Sequence, residues 1–239
     1  MCFHFSITKE KQAIEQALHA TWDEDDWKPF YHVDGFLFPE IPILTQQNQT
    51  QIQEAHWGLI PHWIKGEEEA KVIRTQTLNA RTETVFEKPS FKKSILENRC
   101  LIPATGFFEW MDFGGKKYPH FIFLKHEPLF FFGGIASEWV DPKTGEVVTS
   151  CSILTTEANE MMAKIHNLKK RMPLIIPKSS LEIWLDAKRS KADVEDFFRA
   201  YPTEEMDAYT IGKRITSKTM ERDVPEILES VIYPELWAC

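Results

Sequence analysis

The cysteine at position 2 is the first residue of this chain that could take part in chemistry. If the initiator methionine is removed, Cys2 becomes the N-terminal residue and carries a thiol and an α-amine on neighbouring carbons. Such a pair reacts with aldehydes in a way that neither group does alone, because amines add to carbonyl carbons and the thiol can then close on the imine. Free cysteines are, however, commonly small buried hydrophobic residues. Position 2 by itself leaves both interpretations open.

The segment NARTETV, residues 79–85, places Asn79, Arg81 and Glu83 at alternating positions. In an extended segment this spacing brings all three side chains to one face. A face that carries an amide, a guanidinium and a carboxylate is either a hydrogen-bonded polar network or a binding site. The spacing alone does not distinguish the two.

Glu109 and His166 are the candidates for proton transfer. Glu109 stands among aromatic residues in CLIPATGFFEW, a setting that desolvates a carboxylate and raises its pKa, as a general acid requires. The structural alternative is a strand glutamate paired with an arginine. His166 lies just ahead of a basic cluster, where a histidine is either a catalyst or a residue at the end of a helix.

Two segments could bind single-stranded nucleic acid. WGLIPHW contains Trp57 and Trp63 around a glycine and a proline, and bases stack on such aromatic faces. Most tryptophans are nevertheless core residues. The segment from Lys164 to Arg171, KIHNLKKR, carries four formal positive charges and no acid, so it could neutralise phosphates.

The bulk composition is that of an ordinary globular protein, with 43% apolar and 27% charged residues among 239. No apolar run approaches the roughly 18 residues that cross a bilayer, and the N-terminus lacks a secretory pattern, so we expect a cytoplasmic protein with no membrane contact. The net charge of −8 argues against a nonspecific coat on nucleic acid. The four cysteines form no CxxC pair or Cys/His ligand spacing, so we predict no metal, no cofactor and reduced thiols.

The apolar pattern predicts a mixed fold. Residues 8–20 have helical periodicity, whereas HFIFL and LFFFGGIAS, between residues 120 and 137, are continuous apolar runs typical of buried strands in a barrel or sandwich. DPKTGE, residues 141–146, predicts a hairpin turn into a further strand. No repeat or linker divides the chain. We expect one α+β domain over residues 1–239, with a central, mostly antiparallel, barrel-like sheet flanked by helices.

The motifs together carry a resemblance that none of them carries alone. The chain resembles, over nearly its whole length, the SOS response-associated peptidase family, whose members cross-link to abasic sites in DNA. The resemblance lies in Met-Cys at the start, then WGLIPHW, NARTETV, CLIPATGFFEW, SILTTEAN and a histidine ahead of RMPLII. It implies that Cys2 becomes the N-terminal nucleophile and that Asn79, Glu109 and His166 are the other active-site residues. DNA-binding residues are then expected in the matching motifs and the basic segment, namely Trp57, Trp63, Arg81, Lys164, Lys169, Lys170 and Arg171.

The implied function is covalent trapping of abasic sites in single-stranded DNA. Once Met1 has been removed, by the protein itself or by an ordinary aminopeptidase, Cys2 would form a Schiff base and then a thiazolidine with the sugar aldehyde. The protein would be an (auto)peptidase-type hydrolase with a lyase-like cross-linking activity. We expect a cytoplasmic monomer that joins the nucleoid when it is bound to DNA.

Two other functions stay open, and two features depart from the family pattern. The chain could be a cysteine peptidase that acts on other proteins through Cys2 and His166, or a module that binds single-stranded DNA without chemistry. Family members often begin Met-Cys-Gly-Arg, whereas Phe3 and His4 follow the cysteine here, so a titratable group replaces an arginine. The interval from His166 to Arg171 is also longer than in many relatives.

Overall fold

Apolar runs form fourteen strands and shorter amphipathic segments form six α-helices in the part of the chain that the structure describes. The structure, a computed structural model, describes residues 2–236. Met1 and Cys239, whose thiol is predicted to be reduced, therefore lie outside the described residues. The strands are β1 (His4–Ile7), β2 (Thr21–Trp22), β3 (Phe30–Asp34), β4 (Glu40–Thr45), β5 (Gln51–Trp57), β6 (Asn79–Arg81), β7 (Arg99–Ala104), β8 (Gly106–Phe113), β9 (Lys116–Leu124), β10 (Phe130–Val140), β11 (Val147–Glu157), β12 (Arg171–Pro173), β13 (Ile175–Ile176) and β14 (Met206–Thr210). The helices are α1 (Lys11–Leu18), α2 (Glu67–Arg74), α3 (Ser94–Glu97), α4 (Glu160–Ile165), α5 (Leu181–Leu185) and α6 (Lys191–Glu195).

Five of the strands close into a barrel. Neighbours pair antiparallel in the order β11, β10, β7, β4 and β5, and a parallel pairing of β5 with β11 completes the ring. The predicted apolar run supplies β10, whose Phe130, Phe131 and Phe132 are almost fully buried. The predicted turn at residues 141–146 joins β10 to β11. The expected α+β fold with a barrel-like, mostly antiparallel sheet is confirmed.

A second sheet carries the start of the chain. Its order is β14, β9, β8, β1 and β3, and every pairing in it is antiparallel. Phe5 on β1 pairs with Phe107 on β8, so the residues just before Phe5 lie beside those just after Phe107. This register brings Cys2 toward Glu109.

The two sheets share one apolar core. Phe5 is fully buried and its ring contacts Trp57 at 5.2 Å and Phe132 at 5.6 Å between centroids, in edge-to-face arrangements. Such pairs stabilise a core beyond the area that they bury. The first strand, and Cys2 ahead of it, therefore have a well-packed support.

The helices pack against the strands: α3 and α5 contact β7, and α4 contacts β8. The predicted helix over residues 8–20 is shorter, because α1 begins at Lys11 and ends at Leu18, with Ile14 and Leu18 as its buried face. Thr8 lies outside α1, where its backbone N–H and its hydroxyl group bond to the hydroxyl of Thr105, each at 3.1 Å. In residues 2–236 no helix combines the length and the apolar character that crossing a bilayer requires.

Candidate active site

Cys2 lies two residues ahead of the start of β1 and is fully buried. Its carbonyl oxygen accepts a hydrogen bond of 2.8 Å from Nδ2 of Asn79, and its thiol donates to the carbonyl oxygen of His4 at 3.6 Å. Asn79 opens β6, which pairs with β11 of the barrel. Burial, and then the charge of Glu109, raise the pKa of the Cys2 thiol well above its ordinary value. The thiol is consequently neutral at physiological pH.

Glu109 and His166 face each other beside Cys2. Oε2 of Glu109 lies 3.7 Å from Nε2 of His166, and both residues are buried. Burial raises the pKa of Glu109 to about 7 and lowers that of His166 to about 4. Nδ1 of His166 lies 2.9 Å from the carbonyl oxygen of Arg171, so Nδ1 carries the hydrogen and the neutral ring presents Nε2 to the carboxyl group. A carboxyl group poised near pH 7 can both donate and accept a proton.

Two cavities adjoin these residues. One, of about 420 Å³, is lined by Glu109 and His166 together with the aromatic side chains of Phe36 and Trp110. The other, of about 300 Å³, is lined by Asn79, Arg81 and Lys88, among others. Phe3 lines both cavities. The residue that follows Cys2 therefore contributes to both cavities, and the one lined by Phe36 and Trp110 is called the aromatic cavity below.

The residues of this site all lie in a part of the chain that matches a known family. The model of the SOS response associated peptidase (SRAP) family matches residues 1–218. The chain belongs to this family. The predicted resemblance is thereby confirmed, and the described site occupies the matched region of an SRAP chain.

Individual relatives match over most of the chain. The abasic site processing protein YoqW of Bacillus subtilis is 35% identical, over 96% of this chain and 100% of that protein. The abasic site processing protein HMCES of Gallus gallus is 31% identical, over 74% of this chain and 56% of that protein. Among solved structures, a protein from Bacteroides thetaiotaomicron is 38% identical with a TM-score of 0.91, covering 97% of this SRAP chain and 100% of its own.

The two tryptophans of WGLIPHW have different environments in this SRAP fold. Trp57 is fully buried at the end of β5, and its Nε1 donates to the carbonyl oxygen of Leu78 at 2.8 Å. The prediction that Trp57 contacts DNA is therefore wrong, because its ring belongs to the core. Trp63 is 46% exposed and can still offer a stacking surface.

The basic residues also divide into two groups. Arg171 is 7% exposed, and its guanidinium pairs with both carboxylate oxygens of Glu83 and donates to the carbonyl oxygen of Thr155. A direct contact between Arg171 and a phosphate is thus contradicted, because the side chain is buried and both terminal nitrogens of its guanidinium are engaged inside the protein. The remaining basic positions named from the sequence are exposed, and they are Arg81, Lys164, Lys169 and Lys170.

Glu83 does not share an extended face with Asn79 and Arg81. The strand β6 ends at Arg81, and Glu83 lies in the turns that follow. There it pairs with Arg171, whose carbonyl oxygen in turn binds His166. The alternating pattern of this SRAP motif therefore divides into a strand that holds Cys2 and a turn that supports His166.

Sequence reasoning missed several residues around the aromatic cavity. Phe36, Trp110 and Lys117 line it together with Lys169. Phe36 is 55% exposed, at a short turn between β3 and β4. Trp110 follows Glu109 directly, and that adjacency was the one available signal. Phe36 and Lys117 come from segments without a motif, so only the fold brings them to the site.

Proposed function

We propose that this protein traps abasic sites in single-stranded DNA covalently through Cys2, after Met1 has been removed. The observation that carries the proposal is the position of Cys2, which Asn79 holds beside the proton-transfer pair of Glu109 and His166. The names of the relatives support the same substrate, since YoqW and HMCES are called abasic site processing proteins.

The reaction joins both nucleophiles of the N-terminal cysteine to one carbon. The abasic deoxyribose opens to an aldehyde, and the α-amine of Cys2 adds to the aldehyde carbon. Loss of water leaves an imine, as amine nucleophiles form with carbonyl groups. The thiol sulfur then bonds to the imine carbon while the thiol proton passes to the nitrogen. The product is a five-membered thiazolidine, with one water released overall.

The environment of Cys2 favours the amine as the first nucleophile. Burial raises the pKa of its thiol, so the thiolate is scarce at neutral pH. A free α-amine has a reference pKa of roughly 7.7–8.0, so an appreciable fraction is neutral and nucleophilic. The thiol then attacks the imine carbon formed on its own residue, and its proximity to that carbon compensates for its weak ionisation.

Glu109 and His166 would move the protons of this sequence. With a pKa of about 7, Glu109 can protonate the sugar oxygen during ring opening and the hydroxyl that leaves on dehydration. His166, neutral and fixed through Nδ1, can accept a proton at Nε2 and return it. The same pair could hydrolyse the Met1–Cys2 bond, in which case the protein would also be an autopeptidase.

Exposed cations and one tryptophan would bind the DNA. Arg81, Lys164, Lys169 and Lys170 would neutralise flanking phosphates, and Trp63 would stack with a base. These contacts involve phosphates and base faces, which every sequence presents. Binding should therefore weaken with salt and show little sequence preference.

The rival functions have less support. A cysteine peptidase needs a thiolate, which a neighbouring histidine stabilises by lowering the thiol pKa. Here burial shifts the pKa of the Cys2 thiol in the opposite direction, and the thiol donates to the carbonyl oxygen of His4. A module that only binds DNA would not need a buried carboxyl group with a pKa near 7 beside the N-terminal residue.

Intact mass spectrometry tests the proposal directly. The purified protein is measured before and after incubation with a short single-stranded oligonucleotide that contains one abasic site. Loss of the Met1 mass, followed by an adduct that survives denaturation, is the expected result. A protein that starts at Cys2 but forms no adduct would overturn the proposal.

Two variants separate the steps. Cys2→Ser keeps an amine but no thiol, so its adduct should survive denaturation only after reduction of the imine. Glu109→Gln tests removal of Met1, since retention of the Met1 mass in this variant supports self-cleavage. If Cys2→Ser forms the same stable adduct as the natural protein without reduction, the thiazolidine step is wrong.

A further inference from the structure

A chain of ionisable side chains connects the active site to the C-terminal part of the protein. Nδ1 of His4 lies 3.0 Å from Nε2 of His32 and 3.7 Å from Oδ1 of Asp34. Oδ2 of Asp34 lies 2.9 Å from Nη2 of Arg222. His32 and Asp34 are buried, and Arg222 is partly exposed. These four residues, His4, His32, Asp34 and Arg222, are called the His4 network below.

His4 is the member of the network that reaches the active site. It lines the aromatic cavity together with Glu109 and His166, and its ring meets that of Trp110 edge-on at 5.2 Å. Its carbonyl oxygen accepts the thiol hydrogen of Cys2. Because Nδ1 is taken by His32, Nε2 is the ring nitrogen that His4 can offer to the cavity.

Arg222 comes from a segment that lies beyond residue 218, where the family match ends. Its neighbour Asp223 ties this segment to β3, since Oδ1 of Asp223 accepts hydrogen bonds from the backbone N–H groups of Tyr31, at 2.7 Å, and His32, at 3.0 Å. The part of the chain outside the family match is thus docked against the strand that supports His4.

The charged members of the His4 network shift the pKa of His4 in opposite directions. Burial is the main cause that lowers the pKa of His4, to about 4; Asp34 raises this pKa and Arg222 lowers it. A buried carboxylate needs a compensating charge, and Arg222 provides it at 2.9 Å. Without Arg222, the nearest group that could compensate Asp34 by taking up a proton would be His4. The titratable and charged groups around His4 are His32, Asp34, Arg222 and Asp223 on one side and Glu109, His166, Lys117 and Lys169 around the cavity.

We propose that Arg222 and Asp34 are positioning residues of the active site and that they act on the reaction through the imidazole of His4. The inference rests on the proposed trapping of abasic sites. Arg222 compensates the negative charge of the Asp34 carboxylate, so the His4 ring stays uncharged and hydrogen-bonded to His32. An uncharged ring leaves the surroundings of the Cys2 amine and of Glu109 free of an added cation, which would lower the pKa of both.

The test compares Arg222→Met, Asp34→Asn and the double variant. The imidazole titration of His4 is followed by NMR, with the signal assigned through its loss in His4→Gln, and the rate of adduct formation is measured from pH 5 to 8. In Arg222→Met the His4 titration should move up by at least one pH unit, and the rate should change with the same midpoint. In the double variant both should return toward the natural protein, because the buried carboxylate is gone as well.

Two matched variants test whether the effect comes from the charge of Arg222 and not from a general disturbance of the segment that carries it. Arg222→Lys keeps the charge and should retain the natural titration and pH–rate profile. Asp223→Asn keeps an oxygen that can accept the hydrogen bonds of Tyr31 and His32, so Arg222 stays docked beside Asp34 and the His4 titration should not move up. If Asp223→Asn reproduces the effect of Arg222→Met, or if the double variant behaves as Arg222→Met does, the proposal is overturned.

Failure of the two proposals can be told apart. If the natural protein forms no adduct at any pH, the trapping function is wrong, and the NMR titrations still decide whether Arg222 controls His4. If adducts form but the pH–rate profile of Arg222→Met matches that of the natural protein, trapping stands and the positioning role is overturned.

Discussion

At the scale of single residues, Glu109 links stability to chemistry. Burial raises its pKa to about 7 in the folded protein, from an unfolded value near 4.5. The folded state therefore binds the extra proton, and the carboxyl group favours folding at low pH. That contribution is lost as the pH rises through 7, where a buried carboxylate has to be kept without the solvation that water provides.

Glu109→Gln removes the cost of burying a carboxylate and also removes the group that donates and accepts the proton. We expect the variant to lose at least a hundredfold in the rate of adduct formation, in line with the usual contribution of a general acid. At pH 8 its free energy of unfolding should exceed that of the natural protein by roughly 1–3 kcal/mol, and at pH 5 the difference should fall to about a quarter of that value. Urea denaturation at the two pH values measures both numbers. An equal difference at pH 5 and pH 8 would mean that the glutamine acts through packing and not through ionisation.

At the scale of elements, the ion pair of Glu83 and Arg171 joins the turn after β6 to β12. The Arg171 side chain is 9% exposed whereas the Glu83 side chain is 45% exposed, so the two partners differ in how well water can replace the interaction. Through its carbonyl oxygen Arg171 also orients His166. One interaction therefore supports both strand pairing and the geometry of the site.

Removing Glu83 should lower the stability more than removing Arg171. Glu83→Ala leaves a buried guanidinium without its counter-charge, and a cost of about 2–4 kcal/mol is expected. Arg171→Met keeps most of the buried volume and leaves only a half-exposed carboxylate, so its cost should be smaller. Urea denaturation of both single variants and of the double variant gives the coupling energy. A larger loss in Arg171→Met than in Glu83→Ala would contradict this account.

At the scale of the whole molecule, four largely buried histidines predict sensitivity to acid. Burial lowers the pKa of His4 to about 4, of His32 to about 3 and of His166 to about 4, and it also lowers that of His120. In the unfolded chain they titrate near 6.5, so below that pH the unfolded state binds more protons and stability falls. Glu109 acts with the opposite sign between about pH 4.5 and 7 and offsets the contribution of roughly one histidine.

The stability of the natural protein should thus decrease from pH 6.5 toward pH 4.5. Each histidine that is protonated only when unfolded contributes a slope of at most about 1.4 kcal/mol per pH unit, so a net slope of about 2–3 kcal/mol per unit is expected. Denaturation by urea at pH 7, 6 and 5 measures it. His166→Gln should reduce the slope by the contribution of about one histidine. A natural protein whose stability stays flat over this pH range would show that burial does not lower the pKa of these histidines.

The molecule as a whole has a net charge of −8, so DNA binding has to depend on a local basic surface. Lys169→Ala should reduce the slope of log affinity against log salt by about 0.7, the value for one phosphate contact with a single strand. Trp63→Ala should weaken binding by about 1–3 kcal/mol without changing that slope. Fluorescence anisotropy over a salt series measures both. Trp57→Phe is the matched control, and it should lower stability while leaving the salt slope and the affinity of the folded protein unchanged.

Several features of this protein are already contained in its sequence. The continuous apolar runs predicted β9 and β10, since buried strands need apolar residues on both faces, and DPKTGE predicted the turn between β10 and β11. The motifs around Cys2, Asn79, Glu109 and His166 predicted the family, which the family match confirms. A carboxyl group between aromatic residues also predicted the raised pKa of Glu109, because desolvation depends on immediate neighbours.

The tertiary structure decided the features that depend on distant partners. Trp57 and Trp63 stand six residues apart in one motif, yet one is in the core and the other is exposed, because the parallel pairing of β5 with β11 closes the barrel over Trp57. The contact of Arg222 with Asp34 spans almost the whole chain. Local periodicity reports which face of an element is apolar, but it holds no information on which distant element covers that face or supplies its counter-charge. Long-range packing alone determines those contacts.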